Sequence, residues 1–318
     1  MTGPWALLDL AWAGAILGPA AAAWTWRVLR RKRQYRLAWA GLGLFLIAYC
    51  LGVWAFLIEP ETLVVRRITV ESPRWSGPPL RIGAISDTHV AAPHMDAARV
   101  RSVVDRMNRE GPGVVVLLGD YVGVHQPAAD RPPAERKAIM EGVAAFGSLR
   151  APLGVVAILG NHDWWYDGPV VKRTLTGARV TVLENEAVRL DRPGGALWIA
   201  GLADSESQNA APSPARALAA VPSNEPVIML MHEPDAYPLV PQRVALSLAG
   251  HTHCGQVVLP IVGRLIHASP GAKRWQCGLY RDGGRPLFVT AGVGVSILPV
   301  RFRAPPEIVV ITLRAPTR

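Results

Sequence analysis

The chain is 318 residues long, carries 34 Lys/Arg against 24 Asp/Glu for a formal net charge of +10, and is 50% hydrophobic. The charge is not a nucleic-acid footprint, because six basic residues face one acid, Asp9, within residues 1–58, leaving 28 basic against 23 acidic residues over the remainder. Three cysteines, Cys50, Cys254 and Cys277, exclude a disulfide-built scaffold; Cys254 and Cys277 could pair, but nothing in the sequence says that they do.

In chain order, residues 5–26 form a weak apolar stretch, Ala-rich and interrupted by Asp9 and Pro19, compatible with spanning a membrane, tilting, or lying in its interface. Arg27–Arg36 follows as a basic loop. Leu37–Ile58 is then 22 residues without a formal charge, where a spanning helix needs about 20. Trp39, Tyr49 and Trp54 supply amphipathic rings of the kind interfacial belts favour. A buried core helix rarely stays apolar on every face for so long, so 37–58 is predicted to span. The basic cluster follows the first apolar stretch, which argues against a cleaved signal peptide. By the positive-inside rule the loop is cytoplasmic, placing the protein in the cell membrane with its main domain extracytoplasmic. The alternative is an apolar hairpin dipping into the inner leaflet with the domain cytoplasmic. The predicted division is a membrane anchor over 1–58, a linker over 59–79 with a possible strand at Leu63–Val70 and a Pro-rich tether, and one domain over 80–318.

Within that domain, strands are expected at Leu80–Ser86, Val114–Leu118 and Val155–Leu159, joined by amphipathic helices over Met95–Arg109 and Pro133–Leu149. This is the βαβ rhythm of a layered α/β fold. Closer-spaced strands follow at Val180–Leu183, Leu197–Ala200, Val227–Met231, Ala245–Ala249, Pro286–Ala291 and Ile308–Leu313. Gln126–Pro133 and Ser205–Pro214 read as mobile polar loops. Lys273, Arg274, Arg281, Arg285, Arg301 and Arg303 could face anionic head groups or a phosphate substrate, or be an ordinary solvated surface.

Five polar motifs punctuate the strand ends: Asp87-Thr88-His89, Gly119-Asp120, Gly160-Asn161-His162-Asp163, His232, and Gly250-His251-Thr252-His253. Side chains delivered from the C-terminal ends of several strands can converge on one crevice. Asp, Asn and His without thiolate suit divalent Mn, Fe, Zn or Ni, with Mn favoured. One D-x-H means little; five pieces in this order are hard to obtain by chance.

At these residues the chain resembles the calcineurin-like metallophosphoesterases, in particular a bacterial membrane-anchored subgroup with the G-H-T-H-C-G-Q version of the last motif, here Gly250–Gln256. The resemblance implies a four-layer α-β-β-α sandwich of two mixed sheets between helices. It implies that Asp87, His89 and His253 hold one metal, Asn161, His232 and His251 a second, and that Asp120 bridges them. Two cations about 3.5–4 Å apart clamp an in-line phosphoryl displacement and activate water near neutral pH. His162 is then the general acid or oxyanion stabiliser for the leaving alkoxide, with Asp163 orienting its imidazole and supporting its charged form.

Other residues receive plainer roles. His94, His125 and His267 match no motif and are expected to be loop or surface histidines, although His94 lies close enough to the first motif to touch substrate. Tyr121 is expected to pack or sit on the rim. In purple acid phosphatases a tyrosine ligand stands three residues after the bridging Asp, and here that position is Gly123, which argues against a coloured iron–tyrosinate site. Cys254, beside His253, is read as a small buried residue rather than a thiolate ligand. The function expected is a membrane-anchored phosphoesterase acting on a phosphodiester or lipid-linked phosphoester. Alternatives are a UDP-2,3-diacylglucosamine-type pyrophosphate hydrolase of lipid A synthesis, a nuclease, and a metal-binding membrane regulatory module without turnover. Neither the native metal pair, the oligomeric state nor a nucleic-acid partner is indicated.

Overall fold

The computed structural model describes residues 5–91 and 94–316. Helix α1 (Trp5–Arg31) and helix α2 (Tyr35–Val53) form an antiparallel hairpin, and α2 continues through a π-helical turn, Trp54–Ile58. The Tyr49 hydroxyl donates to the Ala15 carbonyl at 2.7 Å, and Trp26 meets Trp39 edge-on with ring centroids 5.7 Å apart. Both helices are long and apolar enough to cross a membrane. Within α2 only Ala38 is buried, so its Leu, Ile and Trp side chains are not a protein core. The basic segment expected as a loop is helical through Arg31, since Arg and Leu are good helix formers. The reversal is confined to Lys32–Gln34, with Arg33 at φ 57°.

The expected linker is largely structural. Strand β1 (Val64–Glu71) pairs in parallel with the last strand, β14 (Glu307–Arg314), from Val64↔Glu307 to Glu71↔Arg314. Trp75, in the expected tether, is buried against the core between the sheets. The folded domain therefore begins at β1, and Glu59 ties it to the anchor: its carboxylate accepts from Trp54 Nε1 at 2.6 Å and from the Ala304 amide at 2.7 Å.

The first sheet continues from β14 to β2 (Leu80–Ile85), β3 (Val114–Leu117), β4 (Val155–Ala157) and β5 (Thr181–Val182). Its β2–β5 pairings are parallel, with β14 antiparallel to β2. Helices α3 (Ala97–Arg109), α4 (Pro133–Ala144) and α5 (Asn161–Gly177) cover its outer face, while β6 (Glu186–Leu190) and β7 (Leu197–Gly201) open the second sheet. Short helix α6 (Pro214–Ala217) precedes β8 (Val227–Leu230) and β9 (Leu246–Ala249), and β10 (Val258–Leu259) with β11 (Gly263–Arg264) makes a separate small ribbon. The second sheet runs β12 (Gly278–Asp282), β13 (Arg285–Val289), β9, β8, β7, β6.

Alternation explains the layers. Val114 and Val116 of β3 point into the core between the sheets, with Ile228, Leu230, Leu246 and Leu248 opposite; Val115 and Leu117 point outward among α3 and α5 residues. Both faces are buried, so these strands read as unbroken apolar runs. A third cluster, with Leu218, Tyr237, Val240 and Trp275, covers the far face of the second sheet. The result is the four-layer α-β-β-α sandwich.

Two expectations are corrected. Ser205–Pro214 is pinned rather than loose, because Asn185 Oδ1 accepts from the Ala203 and Ser213 amides and its Nδ2 donates to the Ala211 carbonyl. Arg301 is fully buried instead of belonging to a basic surface; its guanidinium donates to the Ala291, Gly294 and Ala304 carbonyls. Cys254 is buried, as expected of a small residue, but it is joined to Cys277 in a disulfide.

Candidate metal centre

The first sheet delivers Asp87 and His89 after β2, Asp120 after β3, and Asn161 at the start of α5 after β4; the second delivers His232 after β8 and His251 and His253 after β9. All seven therefore stand at the C-terminal edge, where the two sheets face each other. Asp87, His89 and His253 each offer a ligand atom within 4.8 Å of one another, as do Asp120, His232 and His251. Asp120 Oδ2 lies between the sets, 3.6 Å from His89 Nε2 and 3.3 Å from His232 Nε2. Asn161 Oδ1 is 3.1 Å from both His232 Nε2 and His251 Nδ1.

The backbone is bent to make this possible. Asp87, His89, Asp120, His251 and His253 all have φ between 48° and 66°. Non-glycine residues reach that region at a cost, and such conformations cluster at functional sites. Gly119, at φ 94°, admits the approach of the neighbouring loops: a Cβ there would lie 2.6 Å from the Gly160 nitrogen and 2.8 Å from His232 Nδ1. At Gly123 a Cβ would fall 2.3 Å from the His89 carbonyl oxygen. No tyrosine ligand fits there.

The donor set suits divalent cations. His232 Nδ1 lies 2.7 Å from the Leu118 carbonyl and donates to it, so Nε2 of the neutral ring turns a lone pair toward the other ligands. His89 Nε2 and His253 Nε2 stand 2.9 Å apart, two ring nitrogens converging where a cation would accept both lone pairs. Burial holds His89 and His253 well below the usual imidazole range and lowers His251 to about 4, so these rings are neutral ligands at pH 7. Burial pushes Asp87 up to about 6. Burial also acts to lower His232 and to raise Asp120, but their mutual attraction overrides it in both, so without a cation they share an ion pair. The buried carboxylates attract positive charge, and the cluster fits a pair of metal ions.

The residues expected to act on the leaving group are arranged differently from expectation. His162 is buried, with its ring 4.5 Å from that of His89, and its amide donates to Asp120 Oδ1 at 3.0 Å. Asp163 does not orient it. Its carboxylate instead accepts from the amides of Asp120, Tyr121, Val122 and Gly160 at 2.9–3.1 Å. Burial and the Asp120 charge push Asp163 up to about 8, but amide donors at both oxygens fit the carboxylate form. Burial lowers His162, and Asp120 rather than Asp163 supports its charged form. His162 Nδ1 has no hydrogen-bond partner among the described residues.

His125 is an exposed loop residue, as expected, and it also meets the His162 ring edge-on, ring centroids 4.6 Å apart. Trp165 completes this aromatic wall, 4.8 Å from His162, with Nε1 3.2 Å from Glu206. The pair Trp164-Trp165 directly after the N-H-D motif was the available signal, because one helical turn places such a ring beside the motif histidine. Tyr121 packs as expected, its hydroxyl donating to the Ile158 carbonyl at 2.8 Å. His94 contacts Glu61 at 3.2 Å, and His267 is exposed.

A two-sheet sandwich with this Asp, Asn and His cluster at its strand ends defines a metallophosphoesterase, a metal-dependent phosphoric ester hydrolase. The chain belongs to the calcineurin-like phosphoesterase family, whose profile matches residues 80–255. It is 32% identical over 276 residues to the uncharacterised metallophosphoesterase YkuE of Bacillus subtilis, covering 82% of this chain and 89% of that protein. It is 27% identical over 243 residues to the phosphodiesterase YaeI of Escherichia coli, covering 74% and 82%. A Danio rerio transmembrane protein with a metallophosphoesterase domain is 28% identical over 276 residues, covering 80% of this chain and 58% of that one.

Beside His232 opens a cavity of about 200 Å³ lined by Asp204, Ser205, Met231, Glu233 and Leu239. Asp204 is buried there; its Oδ1 accepts from the Glu206 amide at 2.9 Å, while Oδ2 has no partner among the described residues. Burial raises its pKa from 3.8 to about 7. The native state therefore binds a proton that the unfolded state has released, and stability falls as pH rises from about 4 through 7. Asp204→Asn is expected to stabilise metal-free protein by on the order of 2 kcal/mol more at pH 8 than at pH 5, measured by urea unfolding in detergent. An equal effect at both pH values contradicts this.

Proposed function

We propose that the chain is a membrane-anchored dinuclear phosphoesterase that cleaves a phosphodiester or lipid-linked phosphoester outside the cytoplasm. One observation carries the chemistry: Asp120 Oδ2 sits between two ligand sets, each of which combines residues from both sheets. In this assignment Asp87, His89 and His253 hold the first cation, Asn161, His232 and His251 the second, and Asp120 both, with Mn²⁺ favoured among Mn, Fe, Zn and Ni. Two bound cations would polarise the phosphoryl group and activate the attacking water.

The rest is assigned to the chain itself. Asp163 fixes the Asp120 loop through four amides. His162, buried beside Asp120 and His89, passes a proton to the leaving ester oxygen. His125 and Trp165 wall off its outer side from water. Support for a diester comes from the similarity to the phosphodiesterase YaeI, and support for membrane attachment from the similarity to the Danio rerio transmembrane protein together with the two exposed apolar helices. The hairpin places its basic turn opposite the domain, as the positive-inside rule asks of an extracytoplasmic domain. The Cys254–Cys277 disulfide favours the same side, since such bonds persist in oxidising compartments.

The test is hydrolysis by detergent-solubilised, metal-stripped protein with Mn²⁺ restored, offered a phosphomonoester, a bis-aryl phosphodiester and a UDP-acylated sugar. Turnover of the diester is expected, and His162→Ala should lower it at least 100-fold, as loss of a general acid typically does, while metal content stays at two per chain. Equal activity in the variant sinks the role of His162, and release of UMP selects the nucleotide-sugar alternative. For topology, a periplasmically active reporter fused after Arg318 is expected to be active; a fusion active only in the cytoplasm reverses the orientation.

A further inference from the structure

Among the described residues, six of the nine large apolar side chains exposed on the phosphoesterase domain fall on two adjoining segments. Ile261, Val262, Leu265 and Ile266 lie on and beside the β10–β11 ribbon, and Ile297 and Leu298 on the loop before Arg301. The two segments are neighbours. Gln256 Nε2 donates to the Ser296 and Leu298 carbonyls at 3.0 and 3.3 Å, and the Val258 amide donates to Phe302 at 2.9 Å.

The patch is continuous with the membrane helix. The Arg301 amide donates to the Ala55 carbonyl at 2.9 Å, and Glu59 caps the Ala304 amide. Both loops therefore emerge where the apolar stretch of α2 ends. They are also tied to the metal centre, because Gln256 follows His253 by three residues and the Arg301 guanidinium lies 3.3 Å from His253 Nδ1. Backbone strain adds an independent observation. Ile261 and Ile297, at φ 70° and 64°, are β-branched residues in the left-handed region, where glycine or asparagine sits without strain. A soluble turn gains nothing from an exposed isoleucine there. A turn that dips into lipid does.

We propose that the Ile261 ribbon and the Ile297 loop insert into the interfacial layer of the bilayer beside the end of α2, seating the metal-bearing edge of the sandwich on the membrane surface. The occupant is lipid, by continuity with the spanning helix; Arg264, Lys273, Arg274 and Arg303, all exposed in this region of the chain, supply positive charge for anionic head groups. The proposal rests on the membrane-anchored reading above and narrows its substrate to a phosphoester lying in the same leaflet.

The experiment uses the full chain with Cys50→Ser, leaving the disulfide intact, and an environment-sensitive fluorophore on Ile261→Cys, Ile297→Cys or, as an exposed control on α4, Lys137→Cys. Each is reconstituted in phosphatidylcholine/phosphatidylglycerol vesicles carrying head-group-proximal nitroxide lipids. Labels at 261 and 297 are expected to be blue-shifted and quenched at least threefold more than the label at 137. Water-like emission at all three sites overturns the proposal. So does a blue shift that lipid nitroxides do not quench and that grows with protein density, which would mark contact between copies of the chain. These readouts need no turnover, so a wrong substrate class would leave them unaffected. In addition, Ile261→Glu/Ile297→Glu should leave soluble bis-aryl phosphodiester hydrolysis within twofold of the parent. Loss of that activity would instead show that the loops serve the fold.

Discussion

The Asp163 carboxylate receives four backbone amides, three from the loop after β3 and one from the turn before α5. Those two loops carry Asp120, Asn161 and His162. A carboxylate buried in apolar protein is costly, and hydrogen bonds from several amides are the main compensation open to it. Here the compensation also fixes where the loops go. Once the Asp120 loop is held, its side chain reaches back to the His162 amide and across to His232 of the other sheet. The site is thus a polar knot between two sheets that otherwise pack mainly through an apolar core.

Converging charge at such a knot has a cost, visible in the backbone and in protonation. Five candidate ligands occupy left-handed conformations, and the buried carboxylates compensate one another's surroundings through imidazoles. Each left-handed non-glycine residue costs on the order of 1–3 kcal/mol. The core between the sheets and the amide clamp hold that strain in place, and metal binding would return part of it. Arg301 extends the same scheme to the N-terminal hairpin: it is fully buried, burial lowers it to about 10, and its backbone and side chain link the end of the second apolar helix to His253.

The residues that the structure gathers at the candidate centre were legible because their motifs are local. Each motif directly follows a strand whose apolar run betrays it, and the order of the motifs supplies the rest. The strands buried on both faces were equally plain. The second sheet's antiparallel edge strands, β6 and β12, were missed, since half-exposed segments such as Glu186–Leu190 and Gly278–Asp282 carry charges that break any apolar run. β1 was seen as a strand but assigned to a linker, because its partner lies more than 240 residues later in the chain. The burial of Arg301 was not visible because its carbonyl partners Ala291, Gly294 and Ala304 carry no sequence signal, and Cys254 with Cys277 was open only as a possible pair. Asp163 was given to His162 by proximity in sequence, whereas a carboxylate at N3 of a helix is geometrically disposed toward backbone amides. His125 was read correctly as a loop histidine, but its contact with His162 was not visible because a lone loop histidine carries no pattern of its own.

In the proposed assignment one carboxylate, Asp120, joins two cations into a single centre. Electron paramagnetic resonance of the full-length protein titrated with Mn²⁺ tests it directly. At two equivalents the account predicts an exchange-coupled signal from a dinuclear pair, lost in Asp120→Asn. Uncoupled mononuclear spectra at every ratio, or a coupled signal that survives that substitution, would contradict it.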